Sequence, residues 1–279
     1  VGIVMLLVFP LQPWMMDVFL TMSIMLSMIS LLTTMFVSKP LNFSVFPTLV
    51  LVLTLFRLSL NIASTRLILT PGSGGGSAKA GKVIEAFGTF VVGGNFVVGM
   101  VVFVILVIIN FVVITNGAGR VAEVGARFTL DAMPGKQMAI DADLNSGLID
   151  EETARARRAE IASEADFYGA MDGGSKFVKG DAIAGIVITI VNLIAGFIIG
   201  MVVEGMTVTD SISTYSQLTV GDGLVSQIPS LLMSLATGVI VTRSKDSPEG
   251  GIGGDFSRQL TQSFARLLYT SAAADDSLR

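Results

Sequence analysis

The sequence predicts an all-α, polytopic helical membrane protein of about six spans, the first of them truncated, with a small helical domain in one loop. Three observations carry this prediction. Apolar residues fill 52% of the 279 positions and charged residues only 14%, a balance too apolar for a water-soluble domain of this length. Long apolar runs recur, each near the roughly 20 residues that a helix needs to cross a bilayer. Lys and Arg are also spread unequally over the loops between the runs, which sets an orientation.

Taken in order, the first run, Val1 to Leu11, is too short to cross. It starts without Met or a basic flank, so it reads as a cut span rather than a signal peptide, and the chain is expected to be a fragment. The full-length runs are Met15 to Val37, Val45 to Leu69, Phe96 to Thr115, Ala182 to Val203 and Leu224 to Thr242. They divide the chain into a first transmembrane bundle over 1–115, a loop domain over 116–180, a second transmembrane pair over 181–242 and a tail over 243–279. Eight basic residues lie between Asn116 and Asp181 and none between Glu204 and Gly223. The loop domain, the tail and the N-terminus are therefore expected in the cytoplasm. Lys79 and Lys82 then fall on the outer side, a violation that an amphipathic or re-entrant segment from Lys79 to Gly94 would relieve.

Composition also excludes function classes. A net charge of -4 with no sustained basic stretch argues against nucleic acid as a partner. Zero Cys and zero His remove thiolate chemistry, the commonest metal ligand and the commonest general base. No Walker A loop is present, so neither an enzyme, a cofactor nor a metal is expected.

Mechanism is sought instead in charges inside the apolar runs. Arg57 sits at the middle of its run, where a cation costs on the order of 2.5 to 3.5 kcal/mol. Thr54, Arg57, Asn61 and Ser64 follow at intervals of three and four, which puts them on one helix face turned from lipid. That face serves either as an ion or proton pathway or as a polar seam that glues helices. Arg66 lies about 13 Å further along, within snorkelling reach of the interface. Two Gly-Asp steps, Gly180-Asp181 and Gly221-Asp222, are read as opening spans. Each Asp is then a helix cap, or a boundary carboxylate that takes up and releases protons or binds sodium.

Within the loop domain, one helix is expected from Arg120 to Met133, ended by Pro134-Gly135, and a second from Glu151 to Ala170 with Asp150 as its cap. Glu151 and Arg155 are placed to pair, Glu160 and Glu164 to repel. Asp141, Asp143 and Asn145 with Glu152 come near a calcium loop, but Ser146 stands where the turn glycine belongs, so Asx-turns leading into a helix cap fit better. Gly72 to Ser77 reads as a flexible linker.

Longer motifs then carry a resemblance. Arg57-Leu-Ser-Leu-Asn61-Ile-Ala-Ser-Thr-Arg66, Ala80 to Gly88, Val91 to Gly99, Arg127 to Asn145 and Tyr168 to Gly185 resemble the FHIPEP family of type III secretion export gates. Glu85-Ala-Phe, Ile109-Asn-Phe111 and Glu164 to Tyr168 are more similar to its flagellar branch than to its injectisome branch. The resemblance implies a multi-pass protein of the bacterial inner membrane, in a homo-oligomeric ring of nine copies. Such a ring would couple ion flow down the proton motive force to export of unfolded flagellar proteins. Its implied partners are other export-gate membrane subunits and the flagellar basal body. Substrates and chaperones would dock on a C-terminal domain that lies beyond this chain. The resemblance also implies ion or energy coupling by Arg66, Arg120, Arg127, Asp131, Asp172, Lys176, Asp181 and Asp222, beside the intramembrane polar face of Arg57, Asn61 and Ser64. A departure is Asn116, where the family usually has lysine. The alternative is a secondary ion transporter or antiporter using Arg57, Asn61 and Asp181 as its site.

Overall fold

The structure is a computed structural model that describes residues 5–6, 9–71, 78–92, 96–242 and 261. Among these residues every regular element is helical. Helix α1 covers Pro13–Phe36 and α2 Phe46–Leu69, joined through a 3₁₀ turn at Pro40–Phe43. The short α3 covers Lys82–Val92, and α4, Phe96–Ile108, continues as a π-helical segment, Ile109–Thr115. Helices α5 (Asn116–Asp131) and α6 (Met133–Asn145) lead to α7, Glu151–Val202, and α8, Val208–Val241. Among the described residues five helical stretches are long and apolar enough to cross a membrane. The expected short span over Val1 to Leu11 and the linker at Gly72 to Ser77 fall largely or wholly outside the described residues.

Burial runs opposite to that of a water-soluble protein. Val97, Val101, Ile105 and Ile108 of α4 are exposed, as are Ile183, Val187, Ile190 and Ile194 of α7, so these faces present hydrocarbon outward. Inside lie small and polar residues. Ser23, Ser27, Ser30 and Thr34 of α1 are buried, and small residues of this kind let helices approach closely. Ser27 and Ser30 donate to the carbonyls of Ser23 and Leu26, so their hydroxyls need no partner on another helix. The same closeness recurs between α7 and α8, where a Cβ on Gly196 or Gly200 would collide with the ring of Tyr215.

Helix α8 is the hub, packing against α1, α2, α3, α5 and α7. One apolar core joins Met16, Leu20, Phe56, Leu60, Ile84, Tyr215 and Leu218 near one end of the bundle. A second joins Phe46, Val50, Ala122, Met171, Met233 and Ile240 near the other. A third lies in the charged hairpin of α6 and the first part of α7, around Met133, Ile140, Ala154 and Ile161.

The segment around Lys79 forms α3, whose eleven residues are too few to span a bilayer. Its start is clamped by α1, because the Asp17 carboxylate accepts from the amides of Lys82 and Val83 at 3.0 and 2.9 Å. These amides have no intrahelical acceptor, so an anion from another helix stabilises them. Gly81 precedes them at φ +118°, and a side chain there would strike Asp17. Lys79 is buried but compensated, its ammonium 3.1 Å from Glu204, which also accepts from the Tyr215 hydroxyl.

The sequence reading of the helical hairpin is corrected in two places. The first helix ends at Asp131, and Pro134, instead of stopping helical structure, sits in the first turn of α6, where its missing amide costs nothing. Asp141, Asp143 and Asn145 therefore lie on a helix, in neither the favoured Asx-turns nor a calcium loop, and Asp141 and Asp143 pair with Arg158 and Arg157. The second helix does start at the Asp150 cap, whose carboxylate accepts from the Thr153 amide at 2.9 Å. It then runs unbroken to Val202 instead of ending near Ala170.

Candidate functional site

The site is built on the polar face of α2. Thr54, Arg57, Asn61 and Ser64 are all buried, as their spacing predicts, and Arg57 is only 5% exposed. Its guanidinium forms an ion pair with the Asp181 carboxylate of α7, itself 3% exposed. Removing either partner alone strands a charge in a low-dielectric interior, which is why such pairs are costly to break even where they add little net stability.

Asp181 does not cap a helix. It lies well inside α7, and the Gly180-Asp181 step that suggested a helix start is continuous helix. The reason is local tolerance: helix-interior glycine costs about 1 kcal/mol, an amount tertiary packing overrides. The same correction applies to Asp222, which lies inside α8, whose actual cap is Thr207 accepting from the Asp210 amide. Asp222 is 4% exposed and accepts from the Asn192 amide at 3.4 Å; beside it lies Ser64, whose hydroxyl donates to the Asn61 carbonyl at 3.0 Å. Among the described residues no cation pairs with Asp222.

Asn61 and Arg57 of α2 meet Asp181 at one cavity of about 30 Å³. Ser64, one to two turns along the same face, lies beside Asp222 instead. Arg66 is exposed near the end of α2, nine residues beyond Arg57. The remaining charges lie outside this seam. Arg120 pairs with Glu123, Arg127 with Asp131, and Lys176 with Asp172 along exposed helix faces. Arg120 and Lys176 do share a cleft of about 170 Å³ between α5 and α7, together with Glu123 and Lys179.

Sequence reasoning missed several buried partners. Asn110 and Asn192 each interrupt an apolar run, and that isolated polar signal marks a face turned from lipid. Thr115 and Ser230 carried no such signal. Glu164, read as repelling Glu160, is buried and receives a hydrogen bond from Lys136 at 3.1 Å. Among the described residues no cluster of three acidic, His or Cys side chains is arranged to hold a metal ion.

A buried arginine-carboxylate pair inside a helical membrane bundle, joined by the long motifs on α2, α5, α6 and α7, narrows the possible relatives. The model of the FHIPEP family matches residues 3–274. This chain belongs to the FHIPEP family. It is 58% identical over 271 residues to the flagellar biosynthesis protein FlhA of Bacillus subtilis strain 168, covering 97% of this chain and 39% of the relative. The flagellar biosynthesis protein FlhA of Escherichia coli strain K12 is 55% identical over 270 residues, again 97% and 39%. That of Helicobacter pylori strain J99 is 52% identical over 272 residues, 98% and 37%. The chain thus spans about two-fifths of the length of the curated FHIPEP relatives it matches. No solved structure matches it.

Proposed function

We propose that the chain is the membrane part of a flagellar protein export gate, in which ion flow down the proton motive force drives export of unfolded flagellar proteins. The observation that carries this reading is the Arg57–Asp181 pair, a buried charge pair on two packed helices of a membrane bundle. Intramembrane ionisable groups mark ion pathways by default, because their cost must be repaid by function. Asp181 is the proton-accepting group: protonation cancels its charge and releases Arg57 from its counter-ion. Asp222 is a second acceptor. Arg66, Arg120, Arg127, Asp131, Asp172 and Lys176 carry the response to the charged hairpin, which acts as the coupling element in the cytoplasm.

The chain sits in the bacterial inner membrane with its N-terminus in the cytoplasm, as one of nine copies in a ring. It meets other export-gate subunits and the flagellar basal body, and its parent receives substrates and chaperones through a further domain. The names of the relatives support the flagellar part of this reading, and the basic residues of the loop domain support the orientation. The test is Asp181→Asn in the full-length protein, expected to abolish motility and export at normal expression. Export at the wild-type rate would end the switch role. Proton or sodium flux through the purified protein alone, without secretion partners, would favour an ion transporter instead.

A further inference from the structure

The cavity beside Asp181 holds more unmet hydrogen-bonding capacity than the ion pair uses. It is bounded by α2, the π-helical segment, α7 and α8. Asn110 Oδ1, Thr115 Oγ1 and Ser230 Oγ, all on buried side chains, have no hydrogen-bond partner among the described residues, and the two Asp181 oxygens have none beyond the Arg57 contact. Buried polar atoms left in that state cost about 1 to 3 kcal/mol each. At about 30 Å³ the space suits one or two waters and nothing larger. A metal cation is a poor occupant, because the Arg57 guanidinium already faces the carboxylate.

The backbone is irregular on both sides of this space. Asn110 and Thr115 are five residues apart, so on a regular α-helix their side chains would diverge by roughly 140°. The i→i+5 pattern of the π-helical segment, Ile109–Thr115, brings them onto one side, toward Asp181. Across the cavity, Pro229 within α8 cannot donate to the Val225 carbonyl one turn earlier, and Ser230 follows it directly.

We propose that Asn110, Thr115 and Ser230 hold an internal water against the Asp181 carboxylate, that the π-helical segment exists to present the first two, and that this water delivers the proton to Asp181. The delivery role rests on the reading of Asp181 as the proton acceptor; the water site does not. In the transfer, an incoming hydronium gives a proton to the held water as that water gives one to Asp181. One O–H bond forms on the carboxylate and one breaks on the water, which is left neutral. Arg57 keeps its proton throughout. Asn110, Thr115 and Ser230 are positioning residues.

The experiment uses the full-length protein in lipid bilayers. Infrared difference spectra against Asp181→Asn, taken after acidification, isolate the C=O band of protonated Asp181, and its deuterium-exchange rate is followed in Asn110→Leu, Thr115→Val and Thr115→Ser, with export measured in parallel at neutral pH. Expected are at least tenfold slower exchange and at least tenfold slower export in Asn110→Leu and Thr115→Val, with both restored in Thr115→Ser. Where Thr115→Val does not assemble, Ser230→Ala carries the same expectation. Unchanged exchange in the Leu and Val variants would overturn the water site. Slowed exchange with export at the wild-type rate would overturn the delivery role. Failure of the Asp181 reading is seen separately, as normal export by Asp181→Asn while exchange in the other variants still reports the water.

Discussion

Asp181 and Asp222 are both buried carboxylates inside helices of one bundle, yet they are met in different ways. Asp181 faces a guanidinium on α2, whereas Asp222 faces an amide on α7 and a hydroxyl on α2. The contrast teaches that one acid is held by charge and the other by neutral groups, so a single polar face on α2 serves two different electrostatic designs. They are also far apart. Asn192, the partner of Asp222, is eleven residues beyond Asp181 on α7, a rise of about 16 Å.

The contrast is broken most forcefully through the ion pair. Arg57→Leu should destabilise the protein by about 3 to 5 kcal/mol, because it strands Asp181. Thermal unfolding in detergent should show most of that loss recovered in Arg57→Leu/Asp181→Leu, while export stays absent. A single variant as stable as wild type would mean that the charges are not held together. Glu164 is an intermediate case, a buried carboxylate whose cation, Lys136, is partly exposed. Lys136→Met should cost about 1 to 2 kcal/mol, the lysine's exposure softening the effect, read from urea unfolding of the same sample.

Asp222→Asn sharpens the comparison from the other side. It keeps the size and can still bond Asn192, so stability should change by about 1 kcal/mol or less while export falls. A large stability loss would show that Asp222 depends on its charge as Asp181 does. The smallest effect belongs to Asp150, outside the bundle. Its hydrogen bonds, first from Thr153, hold its carboxyl below the usual carboxylate range. A depressed folded value means that its contribution to the start of α7 is fully present above about pH 4 and is lost as pH falls through the lower folded value. Amide exchange at Thr153, compared at pH 5 and pH 2.5, should show fraying only at the lower pH, and Asp150→Ala should remove the difference.

Much of this arrangement was legible before any coordinates. The polar face of α2 followed from spacing alone, since a helix must place residues three and four apart together. The start of α7 followed from its Asp cap. What stayed hidden depends on packing between distant segments. Gly180-Asp181 carries the same local signal whether it opens a helix or continues one, and only the contacts of α7 with α2 decide. Asn110, a lone polar residue in an apolar run, carried a signal that the sequence reading passed over, and its partner left none. The π-helical register that sets Thr115 beside it leaves no mark in an apolar run of that length.

Helix α7 carries one more consequence. Its 52 residues contain no proline and run from the charged hairpin to the far end of the bundle, about 78 Å. It stays continuous through Gly173-Gly174 and Gly180, where helices bend most readily, so the hairpin and Asp181 share one element. A slide of one residue's rise, about 1.5 Å, is enough to carry a carboxylate out of hydrogen-bonding reach of a guanidinium. A shift of α7 along its axis would therefore be felt both in the hairpin and at the contact of Asp181 with Arg57.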